Sequence, residues 1–204
     1  MASQEHAHSL NTLSVDALQA VSSRTTVKGP ARPIFRSRAA ADLSCLLDLD
    51  PRVLSWSCVV AHATSQEGAY TPDFLVTDID GSPWLVDAPG KRIPHDDIAM
   101  SELAAKQGAR YRLFDASQIY DGFRLQNAKD LLRYAAHGVP LGDRMRVLAV
   151  LDEQGSLPFG DCLRIIRETQ PVAALASMIL QGFLEVELDE ALLGPETMVR
   201  RIRG

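Results

Sequence analysis

The alternation of apolar and polar positions divides the chain into three stretches. Residues 1–30 are rich in Ser, Thr, Gln and His and hold no sustained period. They read as a flexible arm with one short helix near Ser14–Val21. "KGPARP" then interrupts the chain before regular structure begins. In "SRAAADLSCLLD" (37–48), Ala40, Leu43, Leu46 and Leu47 recur at helical spacing and Ser37 is suited to the N-cap. "DLDP" ends that helix, because the residue before Pro51 disfavours helical backbone. "VLSWSCVVAHA" (53–63) is rich in strand formers. "EGAYTPDFLVTD" alternates, with Phe74 and Val76 on one face and Leu75 on the other. "DGS" (80–82) predicts a hairpin turn into "PWLVDA", a short apolar segment suited to a central strand. A helix over 95–108 ending at Gly108, a strand in "ARYRLFDAS", and one or two helices over 117–137 follow, with "NAKDLLRYAAHG" the clearest.

"VPLG" (139–142) reads as a linker, after which the pattern changes. "GDRMRVLAVLDEQG", "SLPFGDCLRIIRE" and "PVAALASMILQGF" predict three helices, and "LEVELDEALLGPETMVRRI" predicts a strand, a turn and a final strand. Three helices followed by a hairpin is the order of a winged helix. The organisation expected is an arm (1–30), an α/β domain (31–138) and a small C-terminal domain (143–204).

Composition narrows the class without fixing a function. In 204 residues, 46% are hydrophobic and 23% charged, the profile of a globular chain. No apolar run approaches the roughly 18 residues of a spanning helix, so no membrane role is expected. The N-terminus lacks a basic segment followed by an apolar one, and no signal peptide is expected. Cys45, Cys58 and Cys162 are too scattered for a disulfide framework or a zinc site, which points to a reducing cytoplasm. The net charge of −5 is no nucleic-acid signature, but residues 46–105 carry −7 and residues 106–146 carry +4. An acidic middle beside a basic segment suits either a metal-binding region flanked by phosphate-contacting surface or ordinary charge scatter, and scatter is the simpler reading.

The candidate chemistry lies in "YTPDFLVTDIDGSPWLVDAPGK" (70–91). Asp73 opens the first arm of the hairpin and Asp87 closes the second. We expect their carboxylates within about 8 Å, the reach for sharing one ion. Helix, strand, hairpin, helix, strand, with an acid on each arm, is the order of a restriction-endonuclease-like core, a mixed central sheet flanked by helices. Such chemistry needs a divalent ion to polarise a phosphate and activate water, carboxylates to hold the ion, and a lysine to steady the developing charge. The remaining titratable residues form no rival. His6, His8, His62, His95 and His137 are dispersed, although His95 follows Asp87 closely, and no Gly-rich phosphate loop or nucleophile elbow is present.

From about Pro33 to His137 the chain resembles the TnsA-like transposon endonucleases, a branch of the PD-(D/E)XK nucleases. The residues carrying the likeness are "FRSR" (35–38), "LDLDPRV" (47–53), "TPDFLV" (71–76), "DGSPWLVDA" (80–88) and "RLQNAKDLLRY" (124–134). The resemblance implies metal binding by Asp73 and Asp87 and a Mg²⁺ cofactor if the site is active. It also marks two departures. The family's helix glutamate falls at Ala40 and its motif lysine at Pro89. Lys91, past a Pro-Gly turn, is the candidate replacement for the lysine, and Asp42 and Glu67 are candidates for a migrated acid. Position 42, however, points about 200° around the helix from position 40.

The implied role is that of an endonuclease homologue with a decayed site, acting as an accessory subunit in DNA transposition. The alternatives are an active Mg²⁺ endonuclease using Asp73, Asp87 and Lys91, and a regulatory protein-interaction module. The implied partners are DNA and a DDE-type transposase or other transposition protein, and a homo-oligomer is allowed. The third predicted C-terminal helix has no Lys or Arg, which favours protein contact over groove reading, and "RRIRG" could meet phosphate or a partner's acids.

Overall fold

The structure, a computed structural model, describes residues 25–59, 70–93 and 97–202. It is a mixed α/β protein whose residues cluster into two compact units. The first comprises 28–44 and 52–116; the second comprises 25–27, 45–51 and 117–202. Among the described residues no helix is long and apolar enough to cross a membrane.

α1 (Arg38–Leu49), which lies in the first unit up to Ser44, begins where the pattern predicts, since the Ser37 hydroxyl accepts the Ala40 N–H at 3.0 Å. β1 (Val53–Cys58), β2 (Phe74–Asp78), β3 (Pro83–Asp87) and β4 (Arg110–Leu113) form one sheet in that order. β1–β2 and β2–β3 are antiparallel, and β3–β4 is parallel. The parallel pair is joined through α2 (Asp97–Ala105), which packs against β4, as a parallel connection requires a crossover. The turn between β2 and β3 is the expected one. Gly81 has φ +84°, and the Asp78 N–H meets the Ser82 carbonyl at 3.0 Å. β3 lies between two strands, as a central strand should, and its buried end is apolar at Leu85 and Val86 but closes on the buried Asp87.

The alternation in β2 is resolved as predicted: Phe74 and Val76 are buried and Leu75 is exposed. Phe74 packs edge-on against Trp56 with ring centroids 5.4 Å apart, and Phe35 joins them at 6.2 and 6.3 Å. Lys28, within the expected arm, already holds its carbonyl 3.1 Å from the Trp56 N–H along β1. β1 ends at Cys58, short of the predicted Ala63, and residues 60–69 lie outside the described residues.

The second unit contains α3 (Ala116–Tyr120, joining at Ser117) and α4 (Arg124–Leu132), then α5 (Leu141–Gln154), β5 (Ser156–Pro158), α6 (Phe159–Ile165), α7 (Pro171–Leu180), β6 (Leu184–Val186) and β7 (Met198–Arg201). Two sequence expectations are corrected. Ser156–Pro158 is a strand and not the start of a helix, because it pairs antiparallel with β7 from Ser156↔Arg200 to Pro158↔Met198. The linker is also shorter than predicted, since α5 starts at Leu141, immediately after Pro140. β7 is central in the three-stranded sheet β5-β7-β6. Val147, Leu151, Cys162, Ala174, Leu175, Met178, Leu184 and Val199 form its core.

Candidate functional site

The hairpin register places the two acids. β2 and β3 pair as Phe74↔Val86, so one further step sets Asp73 across from Asp87. The alternation of strand side chains then puts both on the face of Leu75 and Leu85. Each carboxylate accepts a backbone N–H from the opposite arm of the hairpin. Asp87 Oδ1 accepts the Asp73 N–H at 3.0 Å, and Asp73 Oδ2 accepts the Ala88 N–H at 3.0 Å. Asp73 is 7% exposed and Asp87 is 0% exposed. Buried carboxylates demand partners of this kind.

Lys91 completes the group. Its Nζ lies 2.6 Å from Asp87 Oδ1 and 3.5 Å from Asp73 Oδ1, and it donates to the Thr71 carbonyl at 2.5 Å. Both carboxylates therefore reach one ammonium, well inside the expected separation. The sequence explains the delivery. Ala88-Pro89-Gly90 has proline followed by a glycine with φ +82°, the residue pair that suits a type II turn. That turn returns the chain so that Lys91 meets the acid four residues earlier. Pro89 thus stands where the resemblance implies a lysine and shapes the turn that brings Lys91 to the acids. The Lys91 ammonium also sits 4.8 Å from the centroid of the Tyr70 ring.

Two contributors were not singled out by the sequence. Tyr111 on β4 donates its hydroxyl to Asp87 Oδ2 at 3.1 Å. It stands opposite Leu85, so it shares the acids' face. Arg36, inside "FRSR", donates to the carbonyls of Thr71 at 2.8 Å, Pro72 at 2.9 Å and Val59 at 2.5 Å. Its planar fork anchors the segments that lead into and lie beside Asp73. The only signals were strand parity for Tyr111 and the quoted motif for Arg36.

Ala40 is buried and carries no polar atom. Asp42 pairs with Arg38 at 3.6 Å on its own helix. Glu67, His6, His8, His62 and His95 lie outside the described residues. His137 Nε2 is 3.0 Å from the Thr169 hydroxyl in the second unit. Burial raises the Cys58 thiol above its ordinary pKa, with the Asp73 charge adding to it against a backbone hydrogen bond from Ile34 and the Arg36 charge. Burial likewise pushes Cys162 up to about 11, so neither is an activated nucleophile.

A divalent ion tests the arrangement. Mg²⁺ requires near-octahedral oxygen ligands at about 2.0–2.1 Å. Here Asp73 Oδ1 and Asp87 Oδ1 hold an ammonium, and the second oxygen of each acid is taken by the Ala88 N–H or the Tyr111 hydroxyl. Among the described residues, no group of three or more His, Cys, Asp or Glu is placed to hold a metal ion. As arranged, the residues do not fit a bound magnesium ion. What the group does as it stands is halve the charge of the two acids and fix the end of the hairpin.

In the second unit, α7 is buried along almost its whole length, from Ala173 to Met178 and at Leu180. Helix α4 packs against it. Asn127 of α4 donates to the carbonyls of Leu188 and Ala191, each at 2.8 Å, and accepts the Leu193 N–H at 2.9 Å, so the β6–β7 connection is held down. A cavity of about 540 Å³ beside that connection is lined by Glu185, Glu187, Glu190 and Arg200, three acids against one base. Of the bases in "RRIRG", Arg200 stands across from Glu185 and Arg201 pairs with Asp152, while Arg203 lies outside the described residues. No protein-family model matches the chain, and no curated protein matches it.

Proposed function

We propose that the chain is a TnsA-like, restriction-endonuclease-fold protein with a decayed nuclease site, acting as an accessory subunit in DNA transposition. The observation that carries the reading is the hairpin whose two acids, Asp73 and Asp87, meet at one buried group with Lys91. The order α1-β1-β2-β3-α2-β4, with its mixed sheet, supports the nuclease-like core. The order α5-β5-α6-α7-β6-β7, with β7 between β5 and β6, supports a winged-helix-like second domain. Decay is argued from composition. The expected helix acid is Ala40, and the ammonium takes both facing carboxylate oxygens. Losing a preorganised charge stabiliser costs roughly 10²–10³ in rate, and losing an ion ligand weakens the metal that generates the nucleophile.

Protein contact suits the second unit better than groove reading. Its helix α7 is covered, and the connection that would form a wing is acidic and fastened by Asn127. A recognition helix must present bases or amides to the groove, and α7 presents neither over its buried length.

Lys91 also favours a second reading, an active Mg²⁺ endonuclease in which it replaces the lysine missing at Pro89. A nicking assay on supercoiled DNA with Mg²⁺ or Mn²⁺ separates the two, run alone and with a DDE-type transposase from the same cell. The decayed-site reading expects wild type to nick no faster than Asp73→Ala, and to associate with the transposase. Metal-dependent nicking that vanishes in Asp73→Ala would replace it with the active reading. Failure to associate with transposase or transposon-end DNA would remove the accessory role.

A further inference from the structure

We propose that Lys91 is a tethered cation occupying a latent divalent-metal site, and that its ammonium and a metal ion compete for the same oxygens. The inference rests on reading Asp73 and Asp87 as the site of a nuclease fold, and it concerns cation occupancy, not cleavage. An ammonium has three N–H donors. All three have acceptors here: the Thr71 carbonyl, Asp87 Oδ1 and Asp73 Oδ1, at 2.5, 2.6 and 3.5 Å. One backbone carbonyl and two carboxylates around a common centre is also the ligand chemistry of a hard cation, with water completing the shell. The Thr71 carbonyl is the oxygen that a search among acidic side chains would overlook. Arg36 holds that same carbonyl at 2.8 Å, so it stays in place when Lys91 moves.

The asymmetry of burial makes exchange feasible. The two acid side chains are 4% and 0% exposed, whereas the Lys91 side chain is 24% exposed. The lysine can swing to water while the acids remain. It cannot remain beside a bound ion at full strength, because a single positive charge a few ångströms from a doubly charged ion is strongly repulsive at the effective dielectric of a protein. With the lysine in place the pair of acids is half neutralised, and the ion meets a weaker attraction and fewer open oxygens.

The test compares Mn²⁺ binding by calorimetry to the full-length wild type and to Lys91→Met, which keeps an apolar stem beside Tyr70 and removes the charge. The expected result is affinity more than about tenfold higher in Lys91→Met. That gain should be lost when Asp73→Asn is added. Mn²⁺ should also raise the melting temperature of Lys91→Met more than that of wild type, because a ligand bound only to the folded state stabilises it. Lys91→Gln, which keeps an N–H donor for Asp87, serves if the methionine variant does not fold. A folded Lys91 variant binding Mn²⁺ no tighter than wild type would overturn the proposal. So would variants that stay unfolded even with Mn²⁺, since a competing ion should replace the lysine's charge. Nicking by wild type would defeat the decayed-site reading and leave this comparison intact.

Discussion

Asp87 is the residue on which the candidate site turns. It has no exposed surface, yet its oxygens accept from the Asp73 N–H, the Lys91 ammonium and the Tyr111 hydroxyl. A buried carboxylate is tolerated only with such partners, and removing one leaves an unsatisfied charge-bearing oxygen. Tyr111→Phe is therefore expected to destabilise the fold by about 1.5–3 kcal/mol, the range for hydrogen bonds to charged groups. Denaturant unfolding should show a lower midpoint at unchanged slope. In the second unit Asp143 poses the same problem. Burial pushes its carboxyl up, but the Arg167 N–H, the Arg146 guanidinium and the Glu168 N–H together hold it below its ordinary value. A depressed folded value means that this stabilisation is complete above the unfolded value of about 3.9 and is lost as pH falls through the folded one. Thermal unfolding from pH 5 downward should be less acid-sensitive in Asp143→Asn than in wild type; equal slopes would remove Asp143 from the acid limb.

Among the elements, the turn after β3 decides where the lysine goes. Gly90 has φ +82° with no atom near a would-be Cβ, so Gly90→Ala meets backbone strain and no clash. It should cost about 1–2 kcal/mol and draw Lys91 away from Asp87, read by stability and by the same Mn²⁺ titration. The connection β6–β7 depends likewise on Asn127. Asn127→Asp replaces the one nitrogen that donates to both carbonyls, those of Leu188 and Ala191, with an oxygen facing them, and should destabilise more than Asn127→Ala. Equal losses in the two variants would mean that only the missing N–H donors matter, and not the oxygen set against the two carbonyls. The elements were largely legible because local signals specify them: Ser37 capping α1, Gly81 turning the hairpin, and Phe74 and Val76 alternating with Leu75. Asp73 and Asp87 were legible as a pair because hairpin register links them. Tyr111 was not, since its position follows from a parallel pairing across a crossover, which no local pattern encodes. Ser156–Pro158 was misread for the same reason. Three residues carry too little periodicity, and their strand exists only through β7.

Across the whole molecule, the charge pattern takes on a specific sense. The −7 stretch contains both site acids, and one lysine of that stretch answers them locally. Two bases of the second unit are answered in the same way, Arg201 by Asp152 and Arg146 by Asp143 and Glu168. Where charges satisfy each other in this way they leave little local field for phosphate or metal, which agrees with the proposed accessory role. This account depends on what lies between Asp73 and Asp87. The most direct measurement is anomalous scattering from crystals of the wild-type protein grown in Mn²⁺. The account predicts no anomalous peak between the two carboxylates, with the Lys91 ammonium still 2.6 Å from Asp87 Oδ1. A manganese peak bridging Asp73 and Asp87, with Lys91 turned out to solvent, would contradict it.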